Sequence, residues 1–129
     1  MSSYMEICER AARAGGALLA EQLGKVEARE KHPSDFVTDA DLASQEMIRD
    51  IVLSAFPDHG FIGEEEGEDQ PDPTREFHWV ADPLDGTTNF VHRIPHFCVS
   101  LALIQNDRPI VGVVYDPVSG RCFAAERGG

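Results

Sequence analysis

Three apolar runs decide the fold: Phe97-Cys98-Val99-Ser100-Leu101-Ala102-Leu103-Ile104, Ile110-Val111-Gly112-Val113-Val114-Tyr115 and Arg121-Cys122-Phe123-Ala124-Ala125-Glu126. Asn106-Asp107-Arg108-Pro109 separates the first two, and Asp116-Pro117-Val118-Ser119-Gly120 the last two. Short runs bounded by Asn, Asp, Pro and Gly read as strands joined by turns, so the three form an antiparallel meander. Residues 97–104 are almost continuously apolar, as a central buried strand should be. Upstream, residues 77–81 read as a further strand that finishes at Asp82, followed by a turn and a short helical stretch.

Further back the period changes from two to near four. Tyr4, Ile7, Cys8, Ala11, Ala12, Gly15, Leu18 and Leu19 recur at helical spacing, with Gly24 as the stop. A short polar passage containing Lys31, His32 and Pro33 connects to a second helix. That helix starts at Thr38, with Asp41 three residues on in a capping-box-like arrangement. Leu42, Ile48, Ile51, Val52 and Ala55 give its apolar stripe, and Pro57 ends it. Phe61-Ile62-Gly63 is a short apolar run leading into Glu64-Glu65-Glu66, and residues 67–76 form a charged loop. The fold class is α+β: two helices laid on a largely antiparallel sheet, in one domain over residues 1–129.

The net charge of −12 argues against a nucleic-acid or anionic-membrane surface. Its distribution is uneven. Residues 58–85 hold ten acids and one base, −9, against −4 for residues 1–57 and +1 for residues 86–129. Concentrated carboxylate suits a hard cation such as Mg²⁺ or Ca²⁺. No apolar run is long enough to cross a bilayer, and the opening residues lack the pattern of a secretory signal. Cys8, Cys98 and Cys122 are an odd number without close spacing, as for idle thiols in a reducing compartment. A soluble, cytoplasmic protein is the expectation.

The chemistry concentrates in Trp79-Val80-Ala81-Asp82-Pro83-Leu84-Asp85-Gly86-Thr87-Thr88-Asn89-Phe90. A strand delivers Asp82 to its carboxyl end, and Pro83 biases Asp82 away from helical geometry. Asp85, three residues on, returns to the same side. The two carboxylates and the Leu84 carbonyl make an oxygen-only cluster. Gly86 permits close backbone approach, and Thr87-Thr88 open a helix whose free N–H groups suit an anion. A cation site beside an anion site is a means of gripping a phosphate ester. Asp82 and Asp85 alone would read as turn formers; the full string with an acidic cluster upstream favours function. Glu64 follows an apolar strand directly, so a carboxylate is expected at the same sheet edge as Asp82. Glu66 and Glu68 read as surface, and residues 35–41 as a helix start. The five histidines (His32, His59, His78, His92, His96) show no ligand spacing and read as structural or surface.

With these motifs in place the chain resembles the N-terminal part of the inositol monophosphatase family of Mg²⁺-dependent, lithium-sensitive phosphatases. The matching pieces are residues 35–41, 61–65 and above all 82–92. The resemblance implies that Glu64, Asp82, the Leu84 carbonyl and Asp85 are metal ligands. It implies that Glu64, Leu84, Asp85, Gly86 and Thr87 line the substrate, with Gly86 and Thr87 offering N–H groups to the phosphate. Thr87 and Asp41 would orient and deprotonate the attacking water, and Glu65 would assist a metal-bound water. Implied by resemblance as well are a homodimer, a small-molecule phosphate ester as partner, and Mg²⁺ as cofactor. Inositol monophosphates lead as substrates, ahead of histidinol phosphate, fructose bisphosphate and adenosine bisphosphate.

The family pattern continues past residue 129 to a later W-D-x-A-A-G segment, and the only tryptophan here, Trp79, is followed by Val80. The resemblance therefore makes this chain the first half of a layered αβαβα sandwich, with an exposed sheet edge, weak Mg²⁺ binding and little turnover by itself. A haloacid-dehalogenase-type site needs aspartates two apart, whereas Asp82 and Asp85 are three apart. A Ca²⁺-binding loop of the EF-hand type needs D-x-D-x-D-G, which is missing. The remaining alternative is a truncated, non-catalytic metal-binding or dimerisation module of the same family.

Overall fold

The helical repeat near the start folds as α1 (Tyr4–Gln22). In the computed structural model, which describes residues 3–22, 28–32, 35–63, 74–85 and 98–127, its buried stripe is Ile7, Cys8, Ala11, Ala12 and Leu19. The Ser3 hydroxyl accepts the Glu6 N–H at 3.0 Å, so the helix begins with a side-chain cap. The second helix, α2 (Asp39–Ala55), starts directly after Thr38 and stops two residues before Pro57. Ile48 and Val52 are buried on it, whereas Ala55 is exposed, contrary to the expected stripe. That end of the core is closed instead by Phe56, whose ring stacks on His59 with centroids 4.8 Å apart.

The helices touch through small atoms. A Cβ at Gly15 would come 2.7 Å from Ile48 Cδ1, and the buried Ser44 hydroxyl donates to the Gly15 carbonyl at 3.0 Å. Glycine there lets α1 and α2 approach closely enough for that buried hydroxyl to be satisfied. Among the described residues no helix is long and apolar enough to cross a membrane.

The polar passage before α2 differs from its expectation as a plain connection. Ala28–His32 is a strand, β1, paired antiparallel with β2 (Asp35–Thr38) in a separate two-stranded sheet. Its sequence, Ala-Arg-Glu-Lys-His, carries no apolar alternation. The strand comes from the partner segment, where Phe36 and Val37 supply β-propensity.

The main sheet has the order β3-β4-β5-β6-β7, built from β3 (Gly60–Gly63), β4 (Phe77–Asp85), β5 (Cys98–Gln105), β6 (Arg108–Asp116) and β7 (Arg121–Glu126). Only β3 and β4 are parallel; the other neighbours are antiparallel, as the meander requires. The β5–β6 turn is tighter than expected. Asn106 and Asp107 alone form it, with φ of +48° and +69°, and Arg108 and Pro109 already belong to β6. Two central residues with positive φ are the hairpin geometry that matches strand twist.

β5 is central in the sheet, as expected, and its burial alternates. Val99, Leu101 and Leu103 are buried against the helices, whereas Ser100, Ala102 and Ile104 are half-buried. Val80, Val114 and Phe123 are exposed, Phe123 at 64%. Among the described residues the helix layer covers one face only, so burial alternates along the strand. The five-stranded sheet is open, with β3 and β7 as its edge strands, and β7 is largely exposed. Leu101→Ala on the covered face, where Leu101 is 1% exposed, costs about 2–5 kcal/mol by the usual size of such truncations.

Candidate functional site

The parallel pair fixes where chemistry can gather. β3 and β4 run in the same direction with Gly63 in register with Ala81, so both strands leave the sheet at one end. The next residue after Ala81 is Asp82, and the next after Gly63 is Glu64. Neighbouring strands lie about 4.8 Å apart. Asp82 therefore follows directly on the stretch of β4 that is paired with β3.

β4 goes further than the sequence indicated. The strand was expected to finish at Asp82 and turn, yet its pairing with β5 continues through Asp82↔Ser100 to Asp85↔Cys98. The register shifts between those two pairs, across Pro83 and Leu84. A proline cannot donate to the ladder, so an irregularity is where it is tolerated. The backbones of Asp82, Leu84 and Asp85 thus occupy one short, irregular strand end. Asp41 is the third residue of α2, in its first turn. Glu64, Glu65, Gly86 and Thr87 lie outside the described residues, as does the short helical stretch expected after the Asp82 turn. No cluster of His, Cys, Asp and Glu side chains able to hold a metal occurs among the described residues.

One residue at this end escaped the sequence reading. Gln45 is half-buried on α2, and its amide lies against Gly63: a Cβ built there would fall on the amide nitrogen and carbon, and 2.6 Å from Oε1. The spacing from Asp41, four residues, was the available signal, since it puts both positions on one side of the helix. Through this contact the start of α2 is tied to the exit of β3. The β6–β7 turn reaches the same end of the sheet, because Tyr115 pairs with Val99 near the start of β5. Asp116 Oδ1 accepts the Val118 and Ser119 N–H groups at 2.9 and 3.1 Å, which occupies that carboxylate in shaping its turn.

Other titratable groups sit away from this edge and have structural roles. His59 is 9% exposed; its Nδ1 accepts the Trp79 indole N–H at 3.0 Å, and Phe56 and Phe77 stack on its two sides. Burial holds its pKa below the usual value, with His78 adding to the effect and Asp58 opposing it. The Cys8 thiol, pushed up to about 12 chiefly by burial, stays protonated and donates to the Leu101 carbonyl at 3.4 Å. The reading of His59 and Cys8 as structural holds.

Asp82, Leu84 and Asp85, on the irregular end of β4, carry oxygen donors of the kind a hard cation prefers. The model of the inositol monophosphatase family matches residues 1–129. The Nus factor SuhB of Escherichia coli is 44% identical over 131 residues, covering 99% of this chain and 49% of that protein. A fructose-1,6-bisphosphatase/inositol-1-monophosphatase of Aquifex aeolicus is 40% identical over the same share of each. The crystal structure of the extragenic suppressor protein suhB from Bartonella henselae superposes with a TM-score of 0.93 at 36% identity, over 99% of this chain and 50% of that one. The chain spans about half the length of the relatives it matches. By the family match along its whole length, the chain belongs to the inositol monophosphatase family.

Proposed function

We propose that this chain supplies the N-terminal part of a metal-dependent phosphomonoesterase, with Mg²⁺ as the metal and inositol monophosphate as the first substrate. The observation that supports it is the parallel register Gly63↔Ala81, which sets the residues before Glu64 and Asp82 side by side. In this reading Glu64, Asp82, Asp85 and the Leu84 carbonyl hold the metal, and Glu64, Leu84, Asp85, Gly86 and Thr87 line the substrate. A bound Mg²⁺ would neutralise charge on the phosphoryl oxygens and lower the pKa of a bound water. The Gly86 and Thr87 N–H groups bind the phosphate, as free backbone donors at a helix start do. The Thr87 hydroxyl orients the attacking water and Asp41 accepts its proton, while Glu65 holds a second water in place. No side-chain nucleophile is required. The protein works in the cytoplasm as a homodimer.

Phosphate release from inositol monophosphate, fructose bisphosphate and adenosine bisphosphate, with and without Mg²⁺ and lithium, tests this on an enzyme in which this chain is joined to the C-terminal part. Expected is Mg²⁺-dependent, lithium-sensitive release, fastest from the inositol ester, and lost by at least about 100-fold in Asp82→Asn, a few kcal/mol of barrier. Release that Asp82→Asn leaves unchanged would overturn it.

The relative named a Nus factor favours a second reading, in which this chain serves as a Nus factor. An Asp82→Asn protein that loses phosphate release yet keeps such a role would separate the two.

A further inference from the structure

The start of β6 and the end of β7 meet at one end of the main sheet. β5 finishes there with Gln105 opposite Phe77, the first residue of β4, whereas Asp85 lies opposite Cys98 at the other end. β4 runs from Phe77 to Asp85, which at about 3.3 Å per residue sets the two ends about 25 Å apart. Gln105, Asn106, Arg108, Ile110 and Arg127 line a concave pocket of about 390 Å³ at the Gln105 end. Both arginines are anchored to the sheet. Arg108 pairs with Gln105 in the ladder, and the Arg127 N–H donates to the Ile110 carbonyl at 2.8 Å. Their backbones are fixed, so only side chains have to settle on a ligand.

Carboxylates are close by in the chain or the ladder, at Glu76, Asp107 and Glu126, yet none of them lines the pocket. Glu76 is engaged elsewhere, accepting from Gln105 Nε2. Among the described residues neither the Arg108 nor the Arg127 guanidinium has an ion pair or a hydrogen bond. Two cationic forks thus share one cavity whose other walls are two amides and an aliphatic side chain, in a chain of net charge −12. A guanidinium matches the oxygens of a carboxylate or a phosphate in pairs. One such group occupies one fork, so two forks suit an anion with two acidic groups. Pockets of about 300–1,000 Å³ are of small-molecule size, which the cavity reaches.

We infer that this pocket is an anion site, taking a small molecule that bears two or more phosphate or carboxylate groups. Arg108 and Arg127 grip the acidic groups, Asn106 adds an amide donor, and Ile110 packs on the carbon skeleton.

The test is calorimetric titration of metal-free protein, with this chain joined to the C-terminal part, using pyrophosphate and citrate at low ionic strength. The two probes tell phosphate from carboxylate ligands. Expected is saturable binding of at least one of them, weakened at least about tenfold in Arg108→Gln/Arg127→Gln. Arg10→Gln/Arg121→Gln removes the same charge from two exposed positions outside the pocket and should bind as wild type does. Arg108 and Arg127 are exposed as well, so the thermal midpoint of their variant should stay close to wild type. Saturable binding of neither anion would overturn the proposal. So would binding that Arg108→Gln/Arg127→Gln leaves unchanged, or equal weakening in Arg10→Gln/Arg121→Gln, which would reduce the effect to net charge.

Discussion

His59 carries the clearest single-residue consequence. Indole nitrogen only donates, so the Trp79 bond fixes Nδ1 as the acceptor and leaves the proton of neutral His59 on Nε2. Imidazolium donates at both nitrogens, and protonation would strand the indole N–H of Trp79, which is fully buried. A stranded buried donor costs about 1–3 kcal/mol. Stacking on Phe56 and Phe77 offsets part of this through cation–π attraction. The folded-state pKa is lowered below 6.5, so the unfolded chain takes up the proton first. Stability from this group is therefore complete above about pH 6.5 and falls as pH drops below it. Urea unfolding at pH 7.5 and 5.5 should show wild type losing more stability than His59→Gln, which keeps an acceptor but does not titrate. Equal losses would show that His59 does not set the acid sensitivity.

At the scale of elements, the β5–β6 hairpin offers a clean measurement. Asp107 sits at φ +69°, a conformation that glycine adopts freely, and Asn-Gly is the preferred pair for this turn. Asp107→Gly should raise stability by up to about 1 kcal/mol, and Asp107→Val should lower it by about 1–2 kcal/mol, read from denaturant midpoints. The same hairpin shows what the sequence makes legible. Strands β5 to β7 announce themselves because local turn residues bound them, and α1 and α2 because their apolar residues recur at helical spacing. β1 stays hidden, since a Arg-Glu-Lys-His stretch becomes a strand only through pairing with β2. The continuation of β4 past Asp82 stays hidden for the same reason: Cys98, its partner at Asp85, is distant in sequence. At the site, Asp82 and Asp85 are visible as a motif. Gln45 is not, because its meaning depends on Gly63 arriving beside it from another element.

For the molecule as a whole, the decisive property is that acids and strand ends coincide. Residues 58–85 carry most of the excess negative charge, and both strands of the parallel pair end inside that stretch. The helices cover one face of the sheet and leave Val80, Val114 and Phe123 exposed on the other. The continuous apolar character of residues 97–104 fits the central place of β5, and the packed elements decide which of its faces is covered. The most direct measurement of the central claim is the anomalous density of Mn²⁺ in crystals of the protein. A peak is expected at the shared end of β3 and β4, about 2.1 Å from carboxylate oxygens of Asp82 and Asp85. Mn²⁺ bound elsewhere, or no peak at that strand end at saturating Mn²⁺, would contradict it.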